Sequence, residues 1–244
     1  AGNQSMLRSL KRFANKLLAY QPLPGTVKIR RAIDDNIKNG LPYCPAYEGD
    51  LIFSIIQTNK YCRFLETGFH TGSTALYMAA AGSELNAQTT SICLDDDEGV
   101  ERGLRLLQNA GYSDQHRLIR KNSNVALPEL FLAGESFDFI FMDGWKTFDH
   151  LAFEMYYFNQ LLETGGVISF DDSYMPSVRK AIKILTHYYG YEEVDYAAHN
   201  QNFRLRLYQV MTRRSPYRPY RALIKKRDIK DQSAFRDWNF YRTI

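Results

Sequence analysis

The chain has few cysteines, no long apolar run and no repeated or low-complexity tract. Its three cysteines, Cys44, Cys62 and Cys93, show neither an even count nor a metal-type spacing. A disulfide framework or a zinc module is therefore not expected, and a reducing, cytoplasmic setting is. Cys93 sits inside an apolar run and reads as a small core residue. No stretch approaches the length that crosses a bilayer, so no membrane span is expected. The opening residues, AGNQSMLRSLKRF, lack the apolar segment of a secretory signal. The glycine pattern G-x-G-x-x-G of a dinucleotide site is missing too.

What is present suits one α/β domain with additions: 244 residues, 45% hydrophobic and 24% charged. The net charge of +4 is unevenly spread. Residues 213–244 carry ten Lys/Arg against three Asp/Glu, residues 1–50 carry eight against four, and the body between is acidic. Basic ends on an acidic body point to an anionic partner or to contact between ends and body, and a solvated tail accounts for them equally well.

MLRSLKRFANKLLAY has apolar residues near helical spacing and reads as an amphipathic helix closed by Pro22 and Pro24. Packing on the main domain or forming a lid suits so short a stretch better than lying on a membrane. GTVKIRRAIDDNIKNG reads as a helix, LPYCPAYEG as a loop, and DLIFSIIQTNK as the start of another helix. Residues 1–50 are thus expected to be a helical extension.

From Arg63 the rhythm changes. CRFLETG, TTSICLDDD, HRLIRKNS, FDFIFMDG and VISFDDS read as strands. Each is followed by a helical pattern: STALYMAAA, GVERGLRLLQNAG, NVALPELFLAG, HLAFEMYYFNQLLETGG and VRKAIKILTHYYG. YEEVDYAA and FRLRLYQVMT close the series with no helix between them. The expected fold over 51–212 is α/β, a Rossmann-like, doubly wound and mostly parallel sheet with an antiparallel addition at one edge. Residues 213–244 are expected to wrap the domain as a basic extension, with a helix over 219–227.

In open parallel sheets, ligands bind beyond the carboxyl ends of the strands. The acids collect there: Glu66 after the first strand, Asp95 to Asp97 after the second, Asp143 after the fourth, Asp171 and Asp172 after the fifth. Gly68 and Gly72 suit a sharp turn into a helix and a close approach to a ligand. The pattern is E-x-G-x-x-x-G, with Phe69, His70 and Thr71 in the gap. Glu66 would repel a pyrophosphate and suit a cationic amine, while Asp95 suits a ribose diol. Amine plus ribose points to S-adenosylmethionine.

FLETGFHTGSTALYMA, SICLDDD, KNSNVALPEL, FIFMDGWKTF and VISFDDS follow one another in that order. Together they resemble the class I S-adenosylmethionine-dependent methyltransferases, in particular the metal-dependent O-methyltransferases related to catechol O-methyltransferase. They are also similar to bacterial sugar and natural-product O-methyltransferases with a DG…GG…DD pattern. The resemblance covers 63–173. It implies a cofactor site at Glu66, Gly68, His70, Gly72, Ser73, Asp95, Ser123, Asp143 and Trp145. It implies Mg²⁺ on Asp143, Asp171 and Asp172, and a base at Lys146, with methyl transfer to a hydroxyl of a sugar or phenolic small molecule. Homodimers are common among such enzymes. Two departures stand out. The fifth strand ends in Asp-Asp where catechol-type enzymes have Asp-Asn, and His150 stands further from the DG pair than the pattern's histidine. The base therefore remains open between Lys146 and His150.

Plainer readings accompany these. The glycine turn can be purely structural. Asp95 to Asp97, or Asp171 and Asp172, can serve helix N-termini. Lys146 can be a surface lysine, His70 can merely pack, and Trp145 can stack on a ring or belong to the core. An RNA methyltransferase using the Arg/Tyr-rich tail is the main rival reading, although a D/N-P-P-Y/F motif is absent. A non-catalytic adenosyl-binding module is the third.

Overall fold

The structure, a computed structural model, describes residues 23–95, 97–194 and 220–229. The helix expected over MLRSLKRFANKLLAY, the strand expected over FRLRLYQVMT and most of the basic tail lie outside these residues.

Before the sheet come short helices α1 (Val27–Ala32) and α2 (Asp34–Lys38), then α3 (Ala46–Asn59). The stretch read as one helix over 25–40 breaks at Ile33. Helix α3 begins within the expected loop, because Pro45 adopts an extended N-cap conformation and the helix starts directly after it. The strand–helix series follows: β1 (Arg63–Thr67), α4 (Ser73–Gly82), β2 (Gln88–Cys93), α5 (Glu98–Ala110), β3 (His116–Arg120), α6 (Ser123–Leu132), β4 (Phe137–Met142), α7 (Phe148–Leu161), β5 (Leu162–Phe170), α8 (Pro176–Tyr188), β6 (Tyr191–Glu193) and β7 (Arg221–Lys225).

The sheet order is β3-β2-β1-β4-β5-β7-β6. Strands β1 to β5 pair in parallel, and β7 runs antiparallel to both β5 and β6. Along the strands, alternate residues face opposite layers. Phe64, Phe139, Phe141 and Val167 pack with α3, α4 and α5, while Leu65, Ile140, Met142 and Ile168 pack with α6, α7 and α8. This is the doubly wound, mostly parallel architecture expected. The order reverses at β1, whose neighbours are β2 and β4, so a crevice opens beyond Thr67 and Met142.

Two details differ from expectation. A strand, Arg221–Lys225, replaces the helix expected over 219–227. Its apolar centre, Ala222 and Leu223, is buried against both layers, so pairing between β5 and β6 outweighs the local helical preference. Helix α7 also stops at Leu161, and β5 begins at once, ahead of the expected glycine stop.

Lys225 explains this abrupt junction. It is fully buried, and its ammonium donates to the carbonyls of Asn159 and Leu162, each at 2.8 Å. These are carbonyls that the end of α7 leaves without helical partners. Asp228, 2.8 Å away, balances the charge.

Lys225→Met keeps the aliphatic stem but removes the donor that both carbonyls share. It should lower unfolding free energy by about 3 kcal/mol in urea titration.

Candidate functional site

Backbone hydrogen bonds join the ends of β1, β2, β4 and β5 around the crevice. Gly68 N–H donates to Ile92 at 2.9 Å, Asp143 N–H to Thr67 at 2.9 Å, and Asp171 N–H to Met142 at 3.1 Å. Gly68 has φ +94°, and a β-carbon there would run into the Asp143 carbonyl. Gly72 takes φ +68° as the N-cap of α4. Both glycines thus meet backbone demands that other residues satisfy poorly.

Two cavities flank this close approach. The larger, about 530 Å³, is lined by Cys93, Leu94, Asp95, Ser123, Trp145 and His150, among others. The smaller, about 340 Å³, is lined by Tyr43, Pro45, Tyr47, Glu48, Asp171 and Asp172, among others. Gly68, His70 and Asp143 line both. The segment before α3 is tied to the turn: Thr71 hydroxyl donates to Pro42 at 2.6 Å, and Cys44 N–H donates to the Ser73 hydroxyl at 2.8 Å.

Most residues singled out from the sequence come together here. Asp95 lines the larger cavity and is exposed, whereas Asp97 caps α5 by accepting from Val100 N–H at 3.1 Å. Trp145 is 69% exposed, which removes it from the core. Ser73 lines the smaller cavity, but its hydroxyl is engaged by Cys44. His70 has φ +36°, and its Nε2 lies 4.0 Å from Asp97. Ser123 Oγ lies 2.9 Å from His150 Nε2, and that same nitrogen lies 3.2 Å from Glu154. Because both contacts use one nitrogen, the trio is no nucleophile relay, which needs the two ring nitrogens bonded separately. The Glu154 contact raises the His150 pKa.

Glu66 departs from expectation. It is fully buried and is absent from the lining of both cavities. Its Oε1 accepts the Ser91 hydroxyl at 2.6 Å, and Oε2 has no partner among the described residues. Burial pushes its pKa up to about 8, against the opposing Ser91 hydrogen bond.

Lys146 Nζ stands among the three acids assigned to metal: 2.6 Å from Asp143, 3.0 Å from Asp172 and 3.6 Å from Asp171. Burial opposes its charge, yet the carboxylates, Asp143 foremost, outweigh burial and raise its pKa. Ser177 holds its backbone by donating to the Lys146 carbonyl at 2.7 Å. Asp172 is held at φ +48° beside it. Neither Asp171 nor Asp172 caps α8, whose N-cap is Met175, without a side-chain bond. Three carboxylates would suit a hard cation. As arranged, however, the ammonium fills the space between them, and among the described residues no group of acids has metal-holding geometry. Mg²⁺ therefore does not fit without displacing Lys146.

Sequence reasoning missed Glu48, Ser91, His116 and Glu154. Glu48 is buried beside Asp171, and burial foremost, with the charges of Asp171 and Asp143, raises its pKa well above the usual range. Only Glu154 had a readable signal, its four-residue spacing from His150 on α7.

Residues 65–173 match a family model described as a methyltransferase domain. A putative caffeoyl-CoA O-methyltransferase of Arabidopsis thaliana is 29% identical over 129 residues, covering 53% of this chain and 54% of that protein. The matched stretch thus spans about half the length of that curated relative. The O-methyltransferase TomG of Streptomyces achromogenes, solved with SAM, has TM-score 0.60 at 16% identity over 90% of this chain and 96% of that one. The methyltransferase PaMTH1 of Podospora anserina, solved with SAH, has TM-score 0.62 at 14% identity, covering 92% and 97%. At these identities the likeness is one of fold.

A carboxyl that binds its proton more tightly folded than unfolded favours the folded state at low pH. For Glu66 this contribution is complete below about 4.5 and is lost as pH rises through about 8. The stability difference between the wild type and Glu66→Gln should therefore fall by a few kcal/mol between pH 5 and 8 in urea titrations.

Proposed function

We propose that this chain, whose residues 65–173 match a methyltransferase domain model, is a class I methyltransferase that transfers the methyl group of S-adenosylmethionine to a hydroxyl of a small molecule. The observation that carries the reading is the meeting of two cavities at Gly68, His70 and Asp143. In this reading the larger cavity takes the adenosyl part, with Asp95 on the ribose hydroxyls, Ser123 and His150 at the adenine edge, and Trp145 against the base. The fold shared with SAM- and SAH-bound proteins supports that cofactor.

The smaller cavity takes the acceptor. Its tyrosines and acids suit a ring that carries hydroxyls, as a sugar or phenolic moiety does. The acceptor oxygen attacks the methyl carbon in line. A C–O bond forms as the C–S bond breaks, and the electron pair passes to sulfur. Positioning supplies much of the acceleration, since the nucleophile and the sulfonium must face each other across the cavity junction. The acid lining stabilises the cofactor's positive charge and would repel a nucleic-acid backbone. The hydroxyl proton passes to Asp143, which lines both cavities. Lys146 serves this reading better as a cation than as a base, because three carboxylates hold its proton. It keeps the acids together and can donate to the acceptor's oxygen. No step passes through Mg²⁺.

Calorimetric titration with S-adenosylmethionine should show micromolar binding by the wild type, Asp143→Ala and Asp171→Ala. With a panel of catechols and glycosides as acceptors, both variants should lose turnover by about 100-fold or more. Wild-type binding without turnover of any hydroxylated acceptor would favour a non-catalytic module, and no binding would end the reading.

A further inference from the structure

A polar chain runs across the first three strands beneath the glycine turn. Glu66 on β1 stands opposite Ser91 on β2 in the sheet register, and Ser91 stands opposite Leu118, two residues from His116 on β3. The Ser91 hydroxyl reaches Glu66 Oε1 at 2.6 Å and His116 Nε2 at 2.8 Å. The His116 ring then stacks on Phe69, with centroids 4.9 Å apart and planes 27° apart. Phe69 belongs to the turn between Gly68 and Gly72. The chain therefore starts at Glu66 on β1, two residues before the turn, passes through β2 and β3, and reaches the turn through an aromatic ring.

Nothing in the proposed chemistry uses Ser91 or His116, and both are costly where they stand. Ser91 is fully buried inside an apolar layer, and burial lowers the His116 pKa to about 4, so the ring is neutral. A neutral imidazole and a hydroxyl are each able to donate or accept, so together they can serve Glu66 in either charge state. With Glu66 ionised, His116 Nε2–H donates to Ser91 and Ser91 donates to the carboxylate. With Glu66 protonated, the carboxyl can donate to Ser91, and Ser91 to an unprotonated Nε2. An apolar pair at these positions could do neither.

We propose that Ser91 and His116 are positioning residues for the cofactor turn, fixing the Glu66 carboxyl from below and the Phe69 ring from the side. The proposal rests on the reading that this turn holds S-adenosylmethionine. The titratable groups facing Glu66 among the described residues are His116, through Ser91, and Asp143 at the end of β4. Because the Ser91 hydrogen bond favours the ionised carboxyl, its loss should move Glu66 ionisation to higher pH.

The test is titration of the full chain with S-adenosylhomocysteine between pH 6 and 9. Ser91→Ala and His116→Leu should each weaken binding about tenfold, and the double variant little more, since the pair acts as one unit. His116→Gln places an amide near Nε2 and should restore affinity to within about twofold of the wild type. Ser91→Ala should also move the pH dependence of affinity upward, which a purely structural weakening would not do. If Ser91→Ala fails to fold, Ser91→Cys, with its weaker hydrogen bond, replaces it. Folded variants that bind as the wild type does, or a His116→Gln no better than His116→Leu, would overturn the proposal and leave the cofactor reading intact. A wild type that binds no S-adenosylhomocysteine would overturn both.

Discussion

The site depends on how closely two backbones pass beyond the sheet. Gly68 after β1 and Asp143 after β4 lie so near that no side chain fits between them. Both cavities open from this contact and share its residues. The constraint is steric, and it arises from topology. Parallel neighbours with a reversal of strand order place two turns side by side, and one of them must lack a β-carbon. Hydrogen bonds from Gly68, Asp143 and Asp171 to neighbouring strands then hold the turns in register. The acids gain fixed positions because their backbones are extensions of the sheet.

Such crowding of carboxylates needs compensation. Asp143, Asp171 and Asp172 share one ammonium, that of Lys146, and Glu48 lies beside them with its Oε1 unpaired among the described residues. Burial and mutual repulsion raise the pKa of Asp143 and Glu48. Glu66 is managed differently, by neutral partners inside the sheet. The acids at the strand ends, alike in sequence, therefore face different surroundings. Those around Lys146 are held by charge, while Glu66 is held by hydrogen bonds in a dry layer.

Much of this was legible in the sequence. Strands ending in acids, alternating with amphipathic or apolar helices, announced a parallel sheet and the strand ends beside which both cavities lie. Gly68 and Gly72 carried their conformational demand openly. The rest was hidden for physical reasons. Strand β7 is five residues long, with charged residues on both sides, and its pairing partners are far away in sequence. Glu48, Ser91 and His116 are single polar residues within otherwise ordinary patterns, and only the fold gives them their neighbours. The position of Lys146 among three acids was hidden, because a lysine three residues after an aspartate says nothing about two further acids arriving after β5. Glu66 lies at the strand end read for it and is buried there, because side-chain direction in a strand follows the pleat, which the pattern of acids does not reveal.

The late position of β7 in the chain has a consequence for assembly. Glu193 ends β6, yet its ladder partner begins only at Arg221, and β6 contacts the rest of the sheet through β7. Until the ribosome has released that later segment, β5 and β6 each lack the antiparallel partner that they have among the described residues. The end of α7 also waits, because Lys225 supplies its terminal donors. During synthesis the nascent domain can wind its first five strands but carries an open margin at β5 until β7 slides between its neighbours.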